Sequence, residues 1–209
     1  MSFMPAHSLG SAGRPHSGAR LRVLGVDPAV AGITGYGIVE FRGALPHLVR
    51  FGSMKFPARA TFAVRLREIH QLIARLVEEF APDAVAVESV FTALNVKTAL
   101  RLAEMRGVVL LAAAQAQIPA HSYSPREVKA SVAGFGNASK QQMQQMVSSL
   151  LGLASYPEPA DAADALAVAM CHAHASKARE RMAASTRPER PARRASGRAL
   201  PLAAPRTAL

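Results

Sequence analysis

The chain has 209 residues, half of them hydrophobic, and a formal net charge of +11 at pH 7. This length suits one domain of about 150 residues with tails, and no apolar run approaches the ~20 residues that a membrane-spanning helix needs. Because residues 1–20 lack the apolar stretch of a signal peptide and the single Cys171 cannot form an internal disulfide, we expect a cytoplasmic protein.

The first residues show no hydrophobic periodicity. Residues 1–20 are rich in Gly, Ser, Pro and His, so we expect a disordered N-terminal extension. The domain expected over 21–176 begins with a short apolar run, 21–27, that ends in an acid and suits a buried strand. Segments 35–41 and 47–56 read as two more strands. Short connections that contain Gly or Pro join the three, which predicts an antiparallel meander.

Helical spacing replaces the strand pattern over 61–80, where apolar residues recur at every third or fourth position and charged residues lie between them. Pro82 ends this helix, and DAVAVE (83–88) reads as a fourth strand. The remaining predicted elements are a helix at 95–117, a strand at 118–123 and helices at about 125–132, 139–152 and 159–176, with Ser124 and Ser139 as N-caps. The order predicts an α/β fold with a mixed five-stranded sheet, a meander followed by parallel strands, flanked by helices.

The positive charge is concentrated at the C-terminal end. Residues 177–209 carry nine Lys or Arg against two acids and contain four prolines, whereas residues 21–176 are nearly neutral. We expect 177–209 to be a basic, disordered tail. A basic tail attracts nucleic acid through phosphate charge and counterion release. A tail that only improves solubility is an equally open interpretation.

Acidic residues lie at the ends of three predicted elements. Asp27 ends the first strand and Glu88 the fourth; if these strands are parallel neighbours, both carboxylates emerge at one edge of the sheet. Asp161 and Asp164 lie three residues apart near the first turn of the last helix, on one face. Each acid alone has an ordinary explanation, such as a turn, a solvated strand end or the helix dipole. Their order and spacing together predict a shared site.

Four carboxylates at close range repel one another unless a cation lies among them. Mg²⁺ is the natural candidate because it prefers oxygen ligands, and Mn²⁺ shares that preference. Two such ions per subunit, about 4 Å apart, would activate a water and stabilise the leaving oxygen of a phosphodiester. We therefore predict catalytic and metal-binding roles for the four acids. Neither Cys171 nor the seven histidines are needed in this chemistry.

Four stretches of the sequence resemble the RuvC-type Holliday junction resolvases of the RNase H-like superfamily. They are GVDPA…TGYGIVE (25–40), AVESVFTALNVKTALRLAEMRGVV (86–109), YSPREVKASVAGFGNASKQQMQQMV (123–147) and PADAADALAVAMCHAH (159–174). The DAADALA box and the ESVF stretch are specific in combination. The resemblance implies an RNase H-like fold in which the acids that match Asp27, Glu88, Asp161 and Asp164 hold the divalent metals.

The resemblance also implies a function. Members of this family are homodimeric crossover junction endodeoxyribonucleases that make paired, symmetric nicks in four-way DNA junctions, in recombination and repair, with branch-migration motor proteins as partners. The aromatic residue that matches Phe91 wedges against bases, and the residues that match Lys129 and Lys140 contact DNA near the scissile phosphate. Arg126 matches a further position that we assign to DNA binding. Two alternatives remain: Phe91 could be a core residue, and the two lysines could be ordinary surface residues. The apolar face of 95–117 could pack in the core, form dimer contacts or do both.

The loop after the first acid departs from the family pattern. The usual Asp-Pro-Gly is Asp27-Pro28-Ala29 here, and Gly32 makes the segment up to Thr34 one residue longer. Glycine permits backbone angles and close approaches that alanine resists. The departure therefore concerns the geometry of this loop and not the four acids.

Three other functions remain open. An RNase H-like nuclease that acts on RNA would use the same four acids. A sugar-kinase or actin-like ATPase also ends its first strand in an Asp-Gly loop, but it needs two such domains and does not predict the acids at 161–164. A junction-binding protein that no longer cuts would not need all four acids.

Overall fold

The computed structural model describes residues 20–30, 32–89 and 95–185 of the chain. Within these ranges five strands and five helices follow one another in the order β1–β2–β3–α1–β4–α2–β5–α3–α4–α5. The strands are β1 (Leu21–Asp27), β2 (Ile33–Arg42), β3 (Leu45–Lys55), β4 (Ala84–Glu88) and β5 (Ala120–Tyr123). The helices are α1 (Phe62–Phe80), α2 (Val96–Gln115), α3 (Pro125–Ala133), α4 (Lys140–Leu151) and α5 (Ala160–Ser185). None of these helices is long and apolar enough to cross a membrane.

The strands form one sheet in the order β3-β2-β1-β4-β5. The first three strands pair antiparallel, whereas β4 runs parallel to both β1 and β5. The predicted five-stranded mixed sheet is therefore confirmed. In the parallel pair Val26 lies opposite Val87, so the next residues, Asp27 and Glu88, end their strands side by side.

Helices cover both faces of the sheet. On one face Leu24 and Val26 of β1 pack in a core that includes Ile69 of α1 and Val109 of α2. On the other face Val23 packs in a second core with α3, α4 and α5. A strand buried on both faces needs apolar side chains in both directions, which explains why the buried residues 23–26 are continuously apolar rather than alternating.

The alanine-rich start of α5 lies unusually close to β1 and β2. A Cβ on Gly25 would lie 2.0 Å from the carbonyl oxygen of Ala165, and one on Gly35 would lie 2.0 Å from that of Asp161. Because both distances end on backbone atoms, no larger residue fits at either glycine without moving the helix. The contact at Gly35 fixes the first turn of α5, which carries Asp161, against β2.

The two predicted N-caps are confirmed. The hydroxyl of Ser124 accepts from the backbone N–H of Glu127, and that of Ser139 accepts from the N–H of Gln142. In both helices the side chain of the third residue also accepts a hydrogen bond from the backbone N–H of the cap residue, which completes a capping box. These caps fix the starting points of α3 and α4, and therefore the positions of the lysines that these helices carry.

The last helix is longer than the sequence pattern predicts. α5 continues past residue 176 to Ser185, so the first part of the expected disordered tail is helical. Ala, Arg and Glu are good helix formers, and the first proline of this region is Pro188. Lys177 also packs with its ammonium 4.4 Å from the ring centroid of Phe41. Residues 186–209 lie outside the described part, as do residues 1–19, whereas Arg20 lies 3.6 Å from Glu40 in an ion pair.

Candidate active site

Three elements bring the four predicted acids to one edge of the sheet. Asp27 and Glu88 are the last residues of two neighbouring parallel strands. Asp161 lies in the first turn of α5 and Asp164 in the second, at the end of the helix that rests on Gly35. The parallel pairing of β1 with β4 and the close packing of α5 therefore produce the convergence expected from the order of the elements.

The electrostatics of Asp27 show how close these groups are. Burial, followed by the charges of Glu88, Asp164 and Asp161, raises the pKa of Asp27 from 3.8 to about 8, although Lys140 lowers it. Burial and the charge of Asp164 also raise the pKa of Glu88, against the opposite effect of nearby lysines. Without a cation among them, the acids disfavour one another's charge, and Asp27 is mostly protonated at neutral pH.

The predicted lysines lie at the same edge. Lys140, the first residue of α4, forms an ion pair with Asp164 at 3.0 Å, and this contact raises the pKa of the ammonium. Lys129 of α3 is close enough to Glu88 to lower the pKa of that carboxyl. A cavity of about 240 Å³ is lined by Glu88, Pro125, Val128, Lys129, Lys140, Met143, Asp164 and Ala167. Two acids and two lysines thus share its walls.

A larger and more open cavity, of about 770 Å³, lies between β3 and the segment before α5. Its walls include Phe51, Tyr156 and Glu158 but none of the four predicted acids. Although this cavity is larger, the smaller one is the better candidate for the active site, because of the two it alone combines carboxylates with cations.

The structure describes only one of the other two predicted DNA-binding residues, Phe91 and Arg126. Phe91 lies outside the described residues, so its role stays a prediction. Arg126 of α3 lies against the loop between α3 and α4: a Cβ on Gly136 would lie 2.6 Å from its Cγ. Arg126 is not among the residues that line the acidic cavity, and it lies on the adjoining surface.

Backbone contacts hold the loop that follows Asp27. The N–H of Ala29 donates to Oγ1 of the buried Thr34 at 3.3 Å, and Nη1 of Arg65 donates to the carbonyl of Val30 at 2.7 Å. A Cβ on Gly32 would lie 3.6 Å from that of Ala29, an ordinary contact. Space alone therefore does not require glycine at position 32.

The role of Arg65 in this loop was not predicted. Its spacing places it on the charged face of the first helix, where most residues are only solvated. The guanidinium instead donates to the carbonyls of Val30 and Ala60 and lies 5.5 Å from the ring centroid of Phe56. The sequence shows only an arginine on the polar face of this helix, which does not by itself indicate a contact with the loop after Asp27.

The histidines of α5 pack against β5 and α3, with His172 buried and His174 half-buried. Nδ1 of His172 hydrogen-bonds with the hydroxyl of Tyr123 at 2.8 Å, and its ring lies 4.4 Å from that of His121. Burial, then the neighbouring His121 and Arg179, lowers the pKa of His172 to about 4, so the ring is neutral at pH 7. His174 hydrogen-bonds with Ser131 at 3.1 Å. These contacts give both residues structural roles in packing.

The acids share an edge without forming a closed ligand cluster. Within the described ranges no group of three or more Asp, Glu, His or Cys side chains is already arranged to hold a metal ion. One of the four acids, Asp164, is instead paired with the ammonium of Lys140. A cation that used Asp164 as a ligand would have to displace that ammonium.

Comparison with known proteins identifies the family. A family model described as crossover junction endodeoxyribonuclease RuvC matches residues 23–172. The chain belongs to the RuvC family. A relative of that name from Chloroflexus aurantiacus is 46% identical over 165 residues, which cover 79% of this chain and 100% of the relative. Another, from Dehalococcoides mccartyi, is 48% identical over 158 residues, which cover 76% of this chain and 93% of the relative.

Two solved structures have the same fold. Thermus thermophilus RuvC in complex with a Holliday junction substrate matches with a TM-score of 0.70 and 34% identity, over 76% of this chain and 96% of that one. The yeast mitochondrial Holliday junction resolvase Ydc2, at 14% identity and a TM-score of 0.54 over 79% of this chain and 86% of its own, shares the fold alone. The expected RNase H-like fold is therefore confirmed.

Proposed function

We propose that this chain is a structure-selective endodeoxyribonuclease that resolves four-way DNA junctions by paired, symmetric nicks, using two divalent metal ions per subunit, in recombination and repair. The observation that carries the proposal is the convergence of four carboxylates from three elements beside two lysines at one sheet edge. Curated relatives of this chain are named crossover junction endodeoxyribonucleases. Because the substrate would be chromosomal DNA, we place the activity in the cytoplasm.

The four side chains fit a hard divalent cation. All their donors are carboxylate oxygens, which Mg²⁺ and Mn²⁺ prefer. Burial and the neighbouring acids together raise the pKa of Asp27, and a bound cation would lower it. The ammonium of Lys140 offsets part of this repulsion, and its side chain is 59% exposed, so it can move. When bound, two Mg²⁺ ions would supply an activated water and stabilise the leaving oxygen.

The lysines would position the DNA. Lys129 and Lys140 can contact backbone phosphates from the wall of the acidic cavity, which orients a substrate without reading its sequence. When cations neutralise the carboxylates, Lys140 would exchange Asp164 for a phosphate oxygen. Phe91 as a wedge at the branch point and Arg126 as a backbone contact complete the proposed DNA-binding set. The catalytic gain would come from positioning and electrostatic stabilisation.

Paired nicks need two active sites, and α2 offers a surface for a homodimer. Val96, Leu100 and Leu111 are each more than half exposed, and their spacing places them on one face of the helix. An exposed apolar stripe of this kind marks an interaction site. A Leu100→Lys variant should behave as a monomer in analytical ultracentrifugation, whereas Leu45→Lys, a matched change at an exposed position on β3, should leave the dimer intact.

We further propose that the basic tail of this chain contacts DNA and that a motor protein acts with the nuclease. Residues 186–209 carry six arginines and one acid, and a truncation after Ser185 would remove them without cutting α5. If the tail binds DNA, the truncated protein should bind junctions more weakly, most clearly at low salt. Unchanged binding would limit the tail to solubility. A branch-migration motor protein is proposed on the family resemblance alone.

The test is cleavage of labelled nucleic acids with Mg²⁺. A mobile four-way junction, a linear duplex of the same sequence and an RNA–DNA hybrid should be compared, since the hybrid tests the alternative nuclease. We expect symmetric nicks in the junction only. Glu88→Gln should abolish cutting and keep junction binding, whereas Glu158→Gln, a matched change outside the four acids, should cut normally. Cutting by Glu88→Gln would remove Glu88 from the site.

A further inference from the structure

The loop between α3 and α4, residues 134–139, exposes an aromatic ring between the two helices that carry Lys129 and Lys140. Phe135 is 45% exposed, whereas Ala138 in the same loop is buried. Gly134 ends α3 as its C-cap, and Ser139 begins α4 as its N-cap. The loop is therefore anchored at both ends, and its largest apolar side chain still faces solvent.

The two glycines beside Phe135 serve different purposes. Gly134 has a φ of +87°, a left-handed conformation that favours glycine and ends the helix. Gly136 instead permits close contact, since a Cβ there would lie 2.6 Å from Cγ and 3.2 Å from Nε of Arg126. The sequence Gly-Phe-Gly thus brings the side chain of Arg126 against the loop that exposes Phe135.

Basic residues lie on the two helices that flank this loop. Arg126 lies against the loop, Lys129 comes from the helix before it, and Lys140 from the helix after it. Both lysines line the acidic cavity. Aromatic side chains among cations are typical of surfaces that bind unpaired nucleic acid, where bases stack on the rings and cations neutralise the backbone. A charged surface that needed only phosphates would gain nothing from an exposed phenyl ring.

We propose that Phe135 stacks on a nucleobase that has lost its stacking partner at the branch point, and so favours junctions over duplex DNA. In a duplex each base is covered on both faces and only its edges reach the grooves, so the ring has no partner there. This inference rests on the proposed function and deepens it, because it names a residue that selects the substrate in addition to Phe91.

The experiment compares three variants for binding to a junction and to a linear duplex without divalent metal, so that no cutting occurs. Phe135→Leu keeps an apolar side chain and removes the ring, Phe135→Trp keeps a ring, and Leu45→Ala removes an exposed apolar side chain at the opposite edge of the sheet. 2-Aminopurine at positions around the branch point reports stacking by fluorescence. Thermal unfolding of each protein checks the fold.

We expect Phe135→Leu to bind the junction about five- to fifty-fold more weakly, to bind duplex normally and to lose the 2-aminopurine quenching of the wild type. Phe135→Trp should restore both, and Leu45→Ala should match the wild type. Unchanged junction affinity, or an equal loss on both substrates, would overturn the inference while the proposed function stands. A wild-type protein that does not prefer junctions would overturn the proposed function and the inference with it.

Discussion

Asp27 in its charged form should lower the stability of the metal-free protein. The carboxyl lies at the end of β1, where burial and three further acids raise its pKa from 3.8 to about 8. Asp27→Asn keeps the shape of the side chain and removes the charge. We therefore expect this variant to be more stable than the wild type at neutral pH, although it should lose junction cleavage.

The size of the effect follows from the pKa. At about 1.4 kcal/mol per pKa unit, the full shift of Asp27 would correspond to ~6 kcal/mol. Asp27 as a residue is only half-buried, and nearby solvent screens charge, so we expect about half of this. Below about pH 4 the group is protonated in the folded and unfolded states, and the two proteins should be equally stable. From there to about pH 8 only the unfolded chain ionises, so the wild type loses stability relative to the variant as the pH rises.

Urea denaturation with a chelator, between pH 4 and 9, measures this difference. Glu158→Gln makes the same change of carboxylate to amide outside the four acids and should show no such gain. Added Mg²⁺ should then stabilise the wild type more than Asp27→Asn, because only the wild type keeps the full ligand set. A variant that is less stable than the wild type at every pH, or a difference that does not change with pH, would refute the reasoning.

Three other outcomes follow from the packing. Gly35→Ala would place a Cβ 2.0 Å from a backbone carbonyl of α5. It should lower the free energy of unfolding in urea by about 1–3 kcal/mol and remove most of the cleavage rate. Gly107→Ala, with open space around it, should change neither stability nor cleavage. Because burial lowers the pKa of His172 to about 4, stability should fall as the pH drops from about 6.5 to 4, and His172→Gln should flatten this slope. Arg65→Met removes the bond to Val30 and should slow cleavage more than it weakens junction binding in a gel-shift titration; equal losses would argue against a role in the loop.

The order of the elements and the placement of the acids were predictable because their signals are local. An apolar run that ends in Asp27, a helical stretch and a second run that ends in Glu88 determine a parallel pair, and strand ends then share an edge. The structure confirms this pairing. The catalytic roles of the acids remain a proposal, because placement shows proximity and not chemistry.

Contacts between elements that are distant in sequence could not be predicted in the same way. The ion pair of Lys140 with Asp164 and the approach of α5 to Gly35 depend on how helices pack on the sheet, for which no local pattern exists. The placement of the lysines near the acids came from the family resemblance. α5 extends to Ser185, beyond the predicted end at 176, because the helix-breaking prolines that indicate a tail begin only at Pro188 and the residues before it favour helix.

Cleavage of a labelled, mobile four-way junction by the wild type and by Asp161→Asn, beside a linear duplex of the same sequence, tests the central claim most directly. We predict symmetric nicks in the junction alone, dependent on a divalent metal and absent in the variant, while both proteins bind the junction equally. A junction that is bound but never cut at any divalent metal, or one that Asp161→Asn cuts as fast as the wild type, would contradict the assignment of the four acids as the active site.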